Sequence, residues 1–390
     1  MDCGRIGEAI FPDRAHWKVA GMTAIARQLL KIDLRTFVLR REDVLIMAFV
    51  AALGVLVNGY IAGIGGAAMS AAEYLPNLNF YLIAIAVYIC GVASYLLIRF
   101  RPGEPTKFLL VSDEATRMWR GTAMGLPPIV AVALFMPSFS LVKASIPMIA
   151  DYAWDGTFIE LDRQIHGTDP WRILQPLLGN PLVTALLAKI YHMWFLLIYG
   201  GCLFFAFLVE DRALRYRFFF SYFTMWTIGG MAMAAGFASV GPCFLDPVQG
   251  NPHFADQMRY LYAANEVFPV DVLEVQEGIL TWYQTGATGL GSGISAMPSM
   301  HVALAFLFFL AIRKVSRFAG WFFGLFALTI TVASVHLAYH YAVDGYVAIL
   351  LVGGIWWIMG KITPSILSQN PEKSLVAKTL PSSTRPLGKK

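Results

Sequence analysis

Eight runs of apolar residues, each close to the 20 or so that cross the hydrocarbon core of a bilayer as a helix, leave this chain few folds to choose from. They cover roughly residues 44–64, 79–98, 121–141, 185–208, 218–240, 296–312, 319–339 and 342–360. The runs are continuous rather than alternating, so they predict helices and not barrel strands, whose side chains would switch between lipid and lumen at every residue. With 57% of its 390 residues hydrophobic and 14% charged, the chain is also too apolar for a soluble globule. The expectation is an all-α integral membrane protein of about eight spans.

Lys and Arg set its orientation, because short basic loops stay cytoplasmic. Eight of them precede the first span (Arg5, Arg14, Lys18, Arg27, Lys31, Arg35, Arg40 and Arg41), and Arg99, Arg101, Lys107, Arg117 and Arg120 follow the second. Arg212, Arg215 and Arg217 follow the fourth, Arg313, Lys314 and Arg317 the sixth, and Lys361 opens a basic tail. The alternate loops are nearly bare: 65–78 holds no Lys or Arg, 142–182 holds Lys143, Arg163 and Arg172, and 241–300 holds only Arg259 among several acids. Both termini are therefore expected in the cytoplasm. The net charge of +5 is accounted for by topology and attraction to anionic inner-leaflet lipid, and calls for no nucleic-acid partner.

Cys3, Cys90, Cys202 and Cys243 are scattered and suggest no disulfide framework. The first apolar run begins only near residue 44, after a basic stretch, which does not read as a signal peptide. That stretch, residues 1–43, spaces Trp17, Met22, Ile25, Leu29, Ile32 and Phe37 at roughly helical intervals among cations, as an interfacial helix would. Gly59, Gly63 and Ala67 recur every four residues and would allow close helix contact. The tail, 363–390, is rich in Pro, Ser and Lys and reads as disordered.

Ionisable groups at membrane depth are costly, which makes them candidates for function. His301 stands at the outer end of the sixth run, in "SAMPSMHVALAF", with Ser299 two residues before it and Pro298 suited to a first helical turn. In "SVHLAYHYAVDGY", His336, His340 and Asp344 recur every four residues and would share one helix face. The start of the sixth span and the end of the seventh meet on the same side, so the two clusters converge at the outer boundary. Such a set suits phosphoryl transfer through a phosphohistidine. Asp344 would fix the tautomer of His340 so that its other nitrogen attacks phosphorus, while His301 gives and takes the proton of the departing and arriving oxygen. A helix N-terminus bearing Ser299 would hold a phosphate oxygen.

"MPSMH" and "HYAVDG" resemble the second and third signature motifs of the type 2 phosphatidic acid phosphatase superfamily, most of all its branch of inositol phosphorylceramide synthases and sphingomyelin-synthase-like enzymes. "LDRQIHGTDPW" (161–171), "ASVGPCF" (238–244) and "GISAMPSMH" (293–301) look like segments of bacterial members of that branch. The resemblance implies a six-helix catalytic core, here 120–362, behind two additional spans in 44–119. It implies His340 as nucleophile, Asp344 as its partner, His301 as acid/base and Ser299 as a phosphate ligand. It further implies a lipid phosphate substrate, a lipid or water acceptor, no cofactor, and a bacterial inner membrane with the site facing the periplasm.

The wider superfamily also has a Lys, six residues, then Arg-Pro, and an Arg six residues before the nucleophile. That second position is Ser334 here, and the first pattern occurs only in the tail, as Lys378 to Arg385 and Pro386. Arg259, the lone cation of the long outer loop, is the expected substitute as phosphate ligand. His336 is a further candidate for substrate binding. The acidic loop 241–297, with Trp282 and Tyr283, is expected to shape the pocket. Hydrolysis of lipid phosphates is the alternative to head-group transfer. Two other classes compete. A metalloenzyme would gather His301, His336, His340 and Asp344 on zinc or iron, and a transporter would spread ionisable groups over several depths.

Overall fold

The computed structural model describes residues 39–67, 69–286 and 292–368, and among these the chain is all-helical, with no strand. The basic stretch up to residue 38, the tail after 368 and residues 287–291 lie outside the described residues. In chain order the helices are α1 (Arg41–Gly63), α2 (Ala71–Phe100), α3 (Asp113–Ala144), α4 (Asp155–His166), α5 (Pro170–Leu178) and α6 (Pro181–Leu208). There follow α7 (Arg212–Gly236), α8 (Pro242–Gln249), α9 (Ala255–Asn265), α10 (Val272–Thr285), α11 (Met300–Val315), α12 (Arg317–His336) and α13 (Ala342–Ser368). Shorter turns stand at Pro105–Val111 and Ile146–Ile149.

Seven of these, α1, α2, α3, α6, α7, α12 and α13, are long and apolar enough to cross a membrane, against eight expected. The sixth run forms α11, whose 16 residues span about 24 Å at 1.5 Å per residue, short of a bilayer core of about 30 Å. It starts at Met300 rather than 296 because Ser299 takes the N-cap, its Oγ accepting the Val302 N–H at 3.4 Å. Its length need not match lipid. Val302 to Ala305, Leu307, Phe308 and Leu310 to Ile312 are all buried, and α11 packs against α6, α7, α12 and α13. A helix apolar on every side belongs inside a bundle.

The described residues divide into two compact units, one comprising residue 39 with 82–127 and the other 40–81 with 128–368. In the first, Trp119 Nε1 donates to the Leu109 carbonyl at 3.0 Å and the Phe100 and Phe108 rings lie 5.6 Å apart, which fastens the turn between α2 and α3. The second unit holds α11 and every residue discussed below.

Within that second unit the basic residues assigned to topology also tie helix ends together. Arg212 pairs with Glu42 of α1, Tyr216 donates to Asp43, and Arg215 sends two N–H groups to the Val209 carbonyl. Arg217 donates twice to the Trp356 carbonyl and lies 3.9 Å over that residue's ring. Two expectations need correcting. A Cβ on Gly59 or Gly63 would meet nothing within 4 Å, so that spacing does not mark a helix contact. The stretch after 362 does not begin as a disordered tail: α13 continues to Ser368, with Thr363 buried and its hydroxyl on the Met359 carbonyl, because Pro364 follows apolar turns that still pack.

A close helix contact is made at Gly201 of α6, where a Cβ would sit 2.1 Å from the buried ring of Phe308 in α11. Gly200, its neighbour, has nothing within 4 Å. Gly201→Ala is expected to cost about 1–3 kcal/mol by overpacking and to lower the melting temperature in detergent, while Gly200→Ala leaves it unchanged or slightly raised. Equal melting temperatures for the two variants would refute this packing.

Candidate active site

Three non-helical links meet around His340. The first, 337–341, joins α12 to α13 and contains Ala338 at φ +61°, a left-handed turn that ends α12. The N–H groups of Tyr339 and His340 both fold back onto the Ser334 carbonyl, at 3.0 and 3.1 Å. The second, 237–241, leads into α8. Gly241 (φ +86°) is required there, because a Cβ would lie 2.7 Å from the Tyr339 carbonyl oxygen. The third, 292–299, precedes α11 and joins the second through the Ala296 N–H on the Ser239 carbonyl at 3.0 Å. Its Gly293 (φ +90°) approaches the Lys143 backbone so closely that a Cβ would be 2.4 Å from that carbonyl oxygen.

The turn at Ala338 corrects the expectation that His336, His340 and Asp344 share one helix face. His336 ends α12 and Asp344 lies in the first turn of α13. His340 and Asp344 still meet: Nδ1 of His340 is 3.2 Å from Asp344 Oδ2 and 2.9 Å from the Ala296 carbonyl oxygen. Both neighbours only accept, so Nδ1 carries the proton and Nε2 keeps a lone pair. Asp344 is fully buried; Oδ2 also takes the Tyr341 N–H at 3.0 Å, and its backbone carbonyl takes the Ser299 N–H at 3.2 Å. His301, in the first turn of α11, puts its ring 6.0 Å from that of His340 and lies against Tyr191 (4.5 Å) and Trp194 (4.1 Å) of α6.

Both histidines line a cavity of about 640 Å³. Met136, Phe139, Ile198, Trp226 and Gly230 form its apolar part, and Glu274 and Trp282 of α10 reach it from the outer loop. From Met136 to Lys143, both in its wall, is about 10 Å along α3, so the cavity runs down into the bundle. Two of its walls contain wider π-helical turns, Leu197–Gly201 and Trp226–Met233, which swing Ile198 and Trp226 out of the usual helical register.

Three residues expected at the substrate are elsewhere. Arg259 has a side chain 77% exposed and pairs with Asp256 at 3.1 Å, three residues away on α9, and does not line the cavity. His336 points to Thr184, whose hydroxyl is 2.9 Å from Nε2, and packs near Tyr260, so it does not converge with His301; among the described residues no three His, Cys, Asp or Glu side chains are grouped to hold an ion. Ser299 is wholly buried, with its hydroxyl used as the N-cap, and lies behind the cavity wall. Tyr283 packs against Tyr152, also off the wall, while Trp282 is on it.

One cation was hidden in the sequence. Lys143, in the last turn of α3, is the only Lys or Arg among the described residues that line the cavity, and among them it makes no ion pair. At the end of an apolar run a lysine reads as an interfacial anchor, and nothing local marks it as belonging with His301. Asp155 and Asp162 were hidden too; they lie on α4, outside the cavity, and bond the link before α8 and the first turn of α13.

The sequence model of the PAP2 superfamily matches residues 156–358, just over half of the chain. No curated protein and no solved structure matches. Phosphate-ester turnover by Lys143→Met is expected to show a KM raised about tenfold or more, the loss of about 1.4 kcal/mol of anion binding, and Arg259→Ala to stay within about twofold of the wild type. Steady-state kinetics on both variants checks this, and the reverse pattern would return the anion site to Arg259.

Proposed function

The chain belongs to the PAP2 superfamily, an enzyme family of the phosphatase and phosphotransferase type concerned with lipid phosphates, and on that premise we propose that it transfers the phosphorylated head group of a lipid ester to a second lipid alcohol. The observation that carries this reading is the His340 imidazole, held by Asp344 and the Ala296 carbonyl on one nitrogen and lining, together with His301, a cavity that is apolar over most of its depth.

His340 Nε2 attacks phosphorus, forming a P–N bond as the P–O bond to the departing alcohol breaks. His301, protonated, gives its proton to that oxygen. Asp344 stays ionised and stabilises the imidazolium that His340 becomes. In the second half the neutral His301 takes the proton of the incoming hydroxyl, whose oxygen bonds to phosphorus as the P–N bond breaks. His340 returns to its starting form. Lys143, in the wall of the same cavity, neutralises phosphate oxygens, the role that the superfamily's cations absent here would have. No step needs a metal.

The distribution of basic loops favours a site at the outer leaflet, which in a bacterial inner membrane would face the periplasm. Resemblance to the phosphorylceramide-synthase and sphingomyelin-synthase-like branch favours head groups such as phosphoinositol and transfer over hydrolysis. A cavity walled by Trp194, Trp226 and Trp282 suits a lipid alcohol better than water as the acceptor. Hydrolysis of phosphatidic acid or a polyprenyl pyrophosphate by the same intermediate is the second reading.

Purified enzyme in excess chelator is expected to turn over one of phosphatidic acid, polyprenyl pyrophosphate, or phosphatidylinositol with ceramide, and to yield a new phosphorylated lipid rather than free phosphate. Free phosphate as sole product would assign hydrolysis, and activity restored only by added zinc or iron would refute the histidine mechanism. His340→Ala should lose about a thousandfold or more, with Asp344→Asn keeping a residue of activity through a wrong tautomer. The rate should fall on both sides of an optimum, since His340 must start neutral and His301 protonated. A flat profile across the neutral range contradicts these roles.

A further inference from the structure

The segment "LDRQIHGTDPW" belongs to α4 and α5, and the mechanism above uses none of it. Yet α4 carries two buried carboxylates seven residues apart, Asp155 and Asp162, which after almost two full turns face the same way. Asp162 accepts the N–H groups of Ala342 (2.8 Å, on Oδ2) and Val343 (3.0 Å, on Oδ1), the first two of α13. These are helix N-terminal donors that have no partner within their own helix, and a carboxylate there also meets the positive end of the helix dipole.

Asp155 accepts from four donors: the N–H groups of Val240 (3.0 Å) and Gly241 (2.9 Å), Gln249 Nε2 (2.8 Å) and the Tyr341 hydroxyl (2.8 Å). Together the two carboxylates bond Tyr341, Ala342 and Val343, the three residues between His340 and Asp344. Neither touches the cavity. Two buried charges are costly to keep unless their partners are fixed, and four of these six partners are backbone N–H groups, two in the link before α8 and two in the first turn of α13. A second bridge joins the same helices, since His166 of α4 accepts or donates at Tyr346 Oη of α13 over 2.8 Å.

We propose that Asp155 and Asp162 are positioning residues, a two-point clamp by which α4 holds residues 341–343 so that His340 Nε2 faces the phosphorus. The inference rests on the nucleophile assigned to His340 above. A displacement of the attacking nitrogen by about 1 Å suffices to lower a rate about a hundredfold without weakening substrate binding, which is the signature expected of a clamp that never meets substrate. It also gives the acidic pattern of 155–162 a role that surface acids of an outer loop would not have.

The clamp responds to protons. Burial, with the Asp344 carboxylate nearby, pushes the Asp162 carboxyl up to about 6, against the pull of the two N–H groups and of His166; Tyr346 is the other titratable group facing it. Protonation as pH falls through that value removes one of the two acceptors.

Asp162→Asn and Tyr341→Phe, each quantified as folded protein, test the proposal against wild type and a His340→Gln control. Asp162→Asn is expected to lower kcat about 10- to 100-fold with KM within about threefold, and to show a shallower acid-side fall in kcat. Tyr341→Phe, which removes one bond of Asp155 and no charge, is expected to lower kcat about threefold or more, and carries the test alone if Asp162→Asn does not fold. A kcat per folded molecule within about twofold of wild type in the folded variants, or a loss found only in KM, overturns the clamp. Turnover retained by His340→Gln would instead overturn the nucleophile itself.

Discussion

A carboxylate with no exposed surface, Asp344, is the group on which the arrangement of this site depends. A buried charge persists only where donors compensate the lost water, and Asp344 finds them in His340 Nδ1 and the Tyr341 N–H. Its own backbone carbonyl receives the Ser299 N–H, so the residue that orients His340 also fixes the start of the helix that carries His301. The two histidines thereby keep their separation through one residue rather than through two independent helices. Other polar contacts tie the links to one another and to α8, such as the Ala296 N–H on the Ser239 carbonyl and the Cys243 N–H on the Ala338 carbonyl.

Apolar helices surround this frame, and they explain why it can be so polar. In the bundle interior α11 is shielded by α6, α7, α12 and α13, and its shortness leaves room above Met300 for a non-helical link at a depth where lipid-exposed backbone would be excluded. That link supplies the carbonyl of Ala296 to His340. A full-length span in its place would have used that carbonyl within its own hydrogen-bond ladder.

Legibility followed the range of the physics. Hydropathy is local, so seven spans and the helix α11 were readable, and the pairing of His340 with Asp344 was readable from four-residue spacing even though the helix supposed to carry it does not exist there. The break at Ala338 has no signal, because "HLAYHYAVD" holds neither Gly nor Pro, and a left-handed alanine is chosen by the bonds onto Ser334 and Cys243 rather than by its own propensity. His336 was misplaced for the same reason: with α12 ending beneath it, its ring turns to Thr184 instead of the cavity. Ser299 was recognised as a helix start but its hydroxyl was spent on the cap, and Arg259 on its neighbour Asp256. Lys143 and the acids of α4 act across more than 150 residues of chain, a distance at which no pattern in the sequence speaks.

The shape of the cavity bears on the choice between transfer and hydrolysis. The phosphohistidine intermediate proposed above would be common to both, so selectivity would lie in what reaches phosphorus while His301 is neutral and able to accept a proton. Tyr191 and Trp194 lie against the His301 ring, and Phe139, Trp226 and Ile198 line the same cavity. Ordered water needs two to four polar partners, and these side chains offer few of them. A hydroxyl at the head of a hydrocarbon chain brings its own apolar body to fill the space and presents only the oxygen that must react. The apolar depth of the cavity, and not the histidine pair, is thus the feature on which the proposal of transfer over hydrolysis rests.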